Sequence, residues 1–113
     1  MKIFFILFTF MLFSCTKENK NGSEDEITYE LKTTSGSFSF IQYLDETASQ
    51  TQTSSSNLTW SIKFKNTAGR PRQLILQAVG DGQATLTGNI YVNGILVKSG
   101  TGTQAVMLSS NIN

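Results

Sequence analysis

The chain has no histidine, one cysteine and one proline among its 113 residues. Each shortage removes a class of chemistry. Without histidine, a serine or cysteine nucleophile lacks its usual base, and zinc loses its commonest neutral ligand. A single cysteine, Cys15, allows no internal disulfide, so stability has to come from packing. Charge of either sign is scarce in excess: nine basic residues face eight acids, a formal net charge of +1. No basic patch rises above that balance, and nucleic acid is not an expected partner. Long apolar runs are also missing. The one candidate, Ile3 to Phe13 with Thr9 inside it, falls well short of the ~20 residues that cross a bilayer. No EF-hand spacing is present. Gly100-Thr101-Gly102 lacks the lysine and the strand-to-helix setting of a phosphate loop, and is expected to be a plain turn. The acids of the folded part, Glu30, Asp45, Glu46 and Asp81, are read as solvated side chains rather than an acid–base pair. No catalysis, cofactor or metal is expected.

What is there begins with Leu12-Phe13-Ser14-Cys15. Lys2 makes a positive start and Ile3 to Phe13 an apolar core of signal-peptide length. Bacterial lipoprotein signals end in an aliphatic residue, a variable one, a small one and then cysteine. Leu12, Ser14 and Cys15 fit that box, and Phe13 is bulkier than its usual occupant. The thiol is required as the nucleophile that takes a diacylglyceryl group. Cys15 is therefore the expected lipidation site, residues 1–14 the expected signal peptide, and residues 15–26 a flexible tether. Polar Thr16 to Ser23 and acidic Glu24-Asp25-Glu26 have tether composition. Two or three acyl chains on Cys15 give stable anchoring where one would not. Lys17-Glu18 is compatible with a short charged export signal behind the cysteine. Loss of residues 1–14 leaves 99 of 113 residues, enough for one small domain over residues 27–113.

From Ile27 onward the period is two. Ile27, Tyr29 and Leu31 alternate with polar residues in a first strand, and Ser35-Gly36 turns. Phe38 and Phe40 share one phase and Ile41 and Tyr43 the other, so either both faces are covered or a bulge shifts the register near Phe40, and the bulge is the preferred reading. Asp45 to Asn57 is polar, either an exposed connection or a polar strand. Leu58, Trp60, Ile62 and Phe64 alternate with Thr59, Ser61, Lys63 and Lys65, which puts Trp60 near mid-core. Thr67 to Pro71 turns. Gln73 to Val79 is a strand, Gly80-Asp81-Gly82 reverses the chain, and Ala84 to Val92 is the next strand. Asn93-Gly94 between two β-rich runs is a type I′ hairpin signal. Ser99 to Gly102 is expected to turn into a last strand around Ala105 to Leu108. Seven or eight short strands without a helical stretch predict an all-β antiparallel sandwich, with a small closed barrel as the alternative.

In order and rough spacing, Ile27-Thr28-Tyr29-Glu30-Leu31, Ile41-Gln42-Tyr43, Trp60, and Ile90-Tyr91-Val92-Asn93-Gly94 with Leu96-Val97 behind it form a known pattern. They resemble the soluble domain of the mycobacterial small-membrane-protein (MmpS-type) transport-accessory family. They are also similar to small lipoproteins of Bacteroidota that share this domain. The resemblance covers most of residues 27–110. It implies an immunoglobulin-like sandwich outside the cytoplasmic membrane that, in the mycobacterial members, assists a large exporter. This chain departs from that pattern in three ways. A lipidation box stands where those members have a membrane-spanning helix. Their late cysteine pair is absent, with Gly88 near one of its positions. Thr59 and Asn93 replace the usual proline and aspartate.

The resulting expectation is a lipid-anchored envelope lipoprotein, located at the outer membrane, whose domain works by binding rather than catalysis. An accessory role in an envelope transport complex leads. A surface-exposed module for glycan or protein is the alternative, and a purely structural envelope component is the third reading. An aromatic platform built from Phe38, Phe40 and Tyr91 would favour the alternative. Whether the domain faces the periplasm or the cell surface stays open at this level.

Overall fold

The alternation of apolar and polar residues becomes eight strands in the computed structural model, which describes residues 25–113. In chain order they are β1 (Glu26–Thr33), β2 (Phe38–Leu44), β3 (Gln50–Ser55), β4 (Thr59–Lys65), β5 (Arg72–Val79), β6 (Thr85–Val92), β7 (Ile95–Thr103) and β8 (Ala105–Ile112). The expected signal peptide and Cys15 lie outside the described residues. Asp25 and Glu26, read as tether, belong to the folded part: Glu26 opens β1 and Asp25 is buried.

The strands form two four-stranded sheets. The front sheet has the order β8-β5-β2-β3 and the back sheet β4-β1-β6-β7. Every pairing is antiparallel. Each sheet keeps two edges, so the architecture is a sandwich rather than a closed barrel.

The inner faces supply the core: Ile27, Tyr29, Leu31, Leu86 and Ile90 from the back sheet meet Phe38, Ile41, Leu74, Leu76 and Leu108 from the front. Burial of each such aliphatic or aromatic side chain stabilises by roughly 1.5–3 kcal/mol. Tyr29 carries a hydroxyl into this interior and donates it to the Leu44 carbonyl at 2.7 Å. Burial raises its pKa well above the ordinary tyrosine range. Its ring meets Tyr43 and Phe64 at centroid distances of 5.6 Å each, which ties the two sheets together.

Two local signals hold. Between Phe38 and Ile41 the register against β3 shifts, so β2 carries the extra residue of a bulge, which sends Phe38 and Ile41 both inward. Asn93 and Gly94 have φ of 54° and 80°, as a type I′ hairpin requires.

Two further expectations need correction. Gly100 and Gly102 do not turn the chain but lie inside β7, and the turn falls on Gln104. A Cβ on Gly100 would come within 2.5 Å of Leu108 Cδ2, and one on its cross-strand partner Gly88 within 3.1 Å of Leu108 Cδ1. These glycines serve close packing of the last strand over the back sheet. Trp60 also lies away from mid-core. With Ile62 and Phe64 it is half-buried on β4, an edge strand. The front-sheet edge β3 is Gln-Thr-Gln-Thr-Ser-Ser and brings no apolar side chain to cover them.

Candidate functional site

The outward positions of the front sheet are read directly from its register. On β8 they are Ala105, Met107, Ser109 and Asn111, and on β5 Gln73, Ile75, Gln77 and Val79. β2 adds Phe40, Gln42 and Leu44. None carries a charge. Gln42 sits beside Gln77 on β5 and accepts from Gln52 Nε2 on β3 at 3.4 Å, while Gln73 Nε2 donates to Ser109 Oγ at 3.2 Å. Met107 stands out at 64% exposed. The surface is amide-rich and partly apolar, and the described residues enclose no pocket.

The back sheet presents a different surface. Lys63, Lys65, Glu26, Glu30 and Lys32 face outward on β4 and β1. Glu30 Oε1 accepts from Asn89 Nδ2 at 3.0 Å and from the Tyr91 hydroxyl at 3.4 Å, and Ser99 Oγ donates to Asn89 Oδ1 at 2.7 Å. Partial burial, and then the neighbouring Glu30 charge, raise the Tyr91 pKa.

A third region lies at the end where the chain enters β1. The Asp25 carboxylate receives Arg70 Nε and Nη2, both at 2.8 Å, and Asn93 Nδ2 at 3.1 Å. The Arg70 hydrogen bonds are the main reason its pKa lies below the ordinary carboxylate value. Asn93 also accepts the Glu26 N–H on Oδ1 at 2.9 Å and donates its own N–H to the Glu26 carbonyl at 2.7 Å. An aspartate at position 93 could not donate to Asp25, so the asparagine has a local role here. Asn66, fully buried, donates its N–H to the Asp25 carbonyl at 2.7 Å and accepts from Arg72 Nη1 at 3.0 Å. Arg72 is buried, and its Nη2 has no hydrogen-bond partner among the described residues. The loop from Asn66 to Pro71 and the β6–β7 hairpin thus clamp the start of the domain.

Of the residues singled out from sequence, Cys15 lies outside the described residues. Phe38 is 1% exposed and belongs to the core. Phe40 and Tyr91 are half-buried on the outer surfaces of different sheets, so they share no platform. Glu30 is on the back surface, Asp45 at the tether end and Asp81 at the opposite end. Among the described residues no group of three or more Cys, Asp or Glu could hold a metal ion. Among them, too, no helix is long and apolar enough to cross a membrane.

The uncharged front surface and the Asp25–Asn93 clamp were not recognised from sequence. A signal for the first was present: Gln42, Gln50, Gln52, Gln73 and Gln77 recur in strands that share one sheet. Only the strand order reveals that they share it.

Comparison with known proteins matches residues 12–109 to the family described as Mycobacterium membrane protein. No curated protein matches the chain. With most of its length covered, the chain belongs to the Mycobacterium membrane protein family.

Proposed function

Starting from that membership, we propose that this chain is a lipid-anchored accessory protein of the cell envelope, whose front sheet docks on a membrane transport complex. Family membership fits a non-catalytic accessory role beside such a complex. The observation that carries the docking surface is the absence of charge from the outward positions of β8, β5 and β2. Interface centres are depleted of charged groups, because a charge is costly to strip of water while an amide can be re-paired. Cys15 is the proposed lipidation residue, and residues 15–24 lead from it to Asp25, where the clamp fixes the domain's attachment.

The test combines two measurements on the full chain in cells. Photo-cross-linking from Gln77 is expected to capture a subunit of a membrane transport complex, and cross-linking from Thr87 on the back surface to capture none. Equal products from both positions would remove the front sheet from the account. Cys15→Ala is expected to leave the membrane fraction. A Cys15→Ala chain that sediments with membranes as the wild type does would remove the anchor.

A further inference from the structure

Among the described residues, the segment Ile95-Leu96-Val97, which opens β7 just past the hairpin turn, is the one stretch where consecutive large apolar residues are exposed, at 68%, 50% and 40%. It is placed there by a register shift. Ile90 pairs with Lys98 and Tyr91 with Leu96, so Val97 is an extra residue that interrupts the alternation. The far half of β7, from Ser99 onward, runs under β8, with Gly100 against Leu108. Exposure of both faces is therefore confined to the half of this edge strand nearest the turn, the far half alternating between exposed and half-buried residues.

That turn is bonded to the start of the domain. Asn93 makes two hydrogen bonds to the Glu26 backbone and one to the Asp25 carboxylate. The apolar hairpin tip and the point where the tether arrives thus lie at the same end of the sandwich, joined by these hydrogen bonds. Ten residue steps separate Asp25 from Cys15, at most ~35 Å of chain. A lipid on Cys15 would hold this end, where the tether arrives, within that distance of the bilayer.

We propose that Ile95, Leu96 and Val97 insert into the headgroup–acyl boundary of the membrane that holds the lipid anchor, as a second contact beside the acyl chains. The inference rests on the anchoring role proposed above. Lipid is the occupant because the exposed stretch is short, apolar and located where the tether begins. Docking here would stand the sandwich on its end, with the front sheet turned sideways toward proteins embedded in the same membrane.

The test uses the full processed chain, purified from membranes and reconstituted in phosphatidylethanolamine–phosphatidylglycerol vesicles. Leu96→Cys, Ile95→Cys and Met107→Cys each provide a thiol for a nitroxide label. Collisions with a water-soluble nickel complex are expected to fall severalfold at positions 95 and 96 relative to position 107, while collisions with oxygen rise. Labels at 95 and 96 that meet nickel as freely as the label at 107, on a chain that floats with vesicles and leaves Cys15 unlabelled, overturn the docking alone. Spin–spin broadening at position 96 would put a second copy's edge strand on the hairpin and overturn it as well. A wild-type chain that takes the label at Cys15 and fails to float removes the anchor, and the docking with it.

Discussion

The front sheet carries one charged residue on its strands, Arg72, and buries it. The back sheet carries Glu26, Glu30, Lys32, Lys63, Lys65 and Lys98. Both sheets obey the same inside rule, with apolar side chains alternating toward one shared core. The outer half of the alternation is where they part, because folding asks only that those positions tolerate water. Lysine and glutamate satisfy that demand and discourage association. Glutamine, serine and asparagine satisfy it too, but leave a surface that can be dried at lower cost. The difference therefore lies outside what the fold requires, and it suits a contact role for the front sheet.

The sharpest test of this comparison sets neighbours on β8 against each other. Leu108→Ala removes the side chain that fills the space over Gly88 and Gly100, and is expected to cost about 2–5 kcal/mol in urea unfolding. Met107→Ala, one residue away on the outer surface, is expected to stay within about 0.5 kcal/mol. Similar losses for both would mean that the outer surface helps hold the fold and is not free for a partner.

A charge on each outer surface comes next. Gln77→Lys should leave stability within about 0.5 kcal/mol yet weaken capture of the proposed transport partner by roughly 2 kcal/mol, about 30-fold, since a buried charge would lack a counter-ion. Thr87→Lys on the back surface should change neither. Equal effects from the two would erase the distinction between the sheets.

Smaller effects are expected where charge is used structurally. Asn93→Asp loses the amide donor to Asp25 and places two carboxylates together, at a cost of about 1–2 kcal/mol at pH 7. The gap from wild type should narrow below about pH 4 as the carboxylates protonate. Unfolding titrations at neutral and acid pH measure this, and a gap that widens in acid would contradict it.

The smallest effect concerns Asp45. The Thr47 hydroxyl, and then the backbone N–H groups of Thr47 and Ser49, hold its pKa down to about 2 from an ordinary 3.8. Because the folded value is the lower one, its contribution is present above about pH 4 and is lost as pH falls through about 2. Asp45→Asn should flatten the acid limb of stability in that window and leave the limb above it parallel to wild type.

Much of this was legible before any coordinates. Ile27-Tyr29-Leu31 declared a core face through period two, Asn93-Gly94 declared a hairpin because both positions need positive φ, and the phase conflict of Phe38 and Phe40 with Ile41 and Tyr43 left a choice between two covered faces and a bulge, which the register shift decided for the bulge. What escaped depends on neighbours distant in sequence. Gly100 and Gly102 resemble turn residues until Leu108 and Ala105 are placed against them. Trp60 resembles a central residue until β4 is known to lie at an edge opposite polar β3. Asp25 resembles tether until Arg70, 45 residues away, closes on it.

By itself, then, the sequence determined the all-β class, the strand phases, the tightest turn and the family pattern, since these follow from local sterics and from alternation along a single strand. Tertiary structure alone decided which strands share a sheet, and with that decision came the uncharged front surface, the half-covered Trp60 edge and the clamp joining the hairpin to the start of the domain. Each of those is a property of pairing between remote segments. Alternation says which face of a strand is buried, but not which other strand will lie beside it.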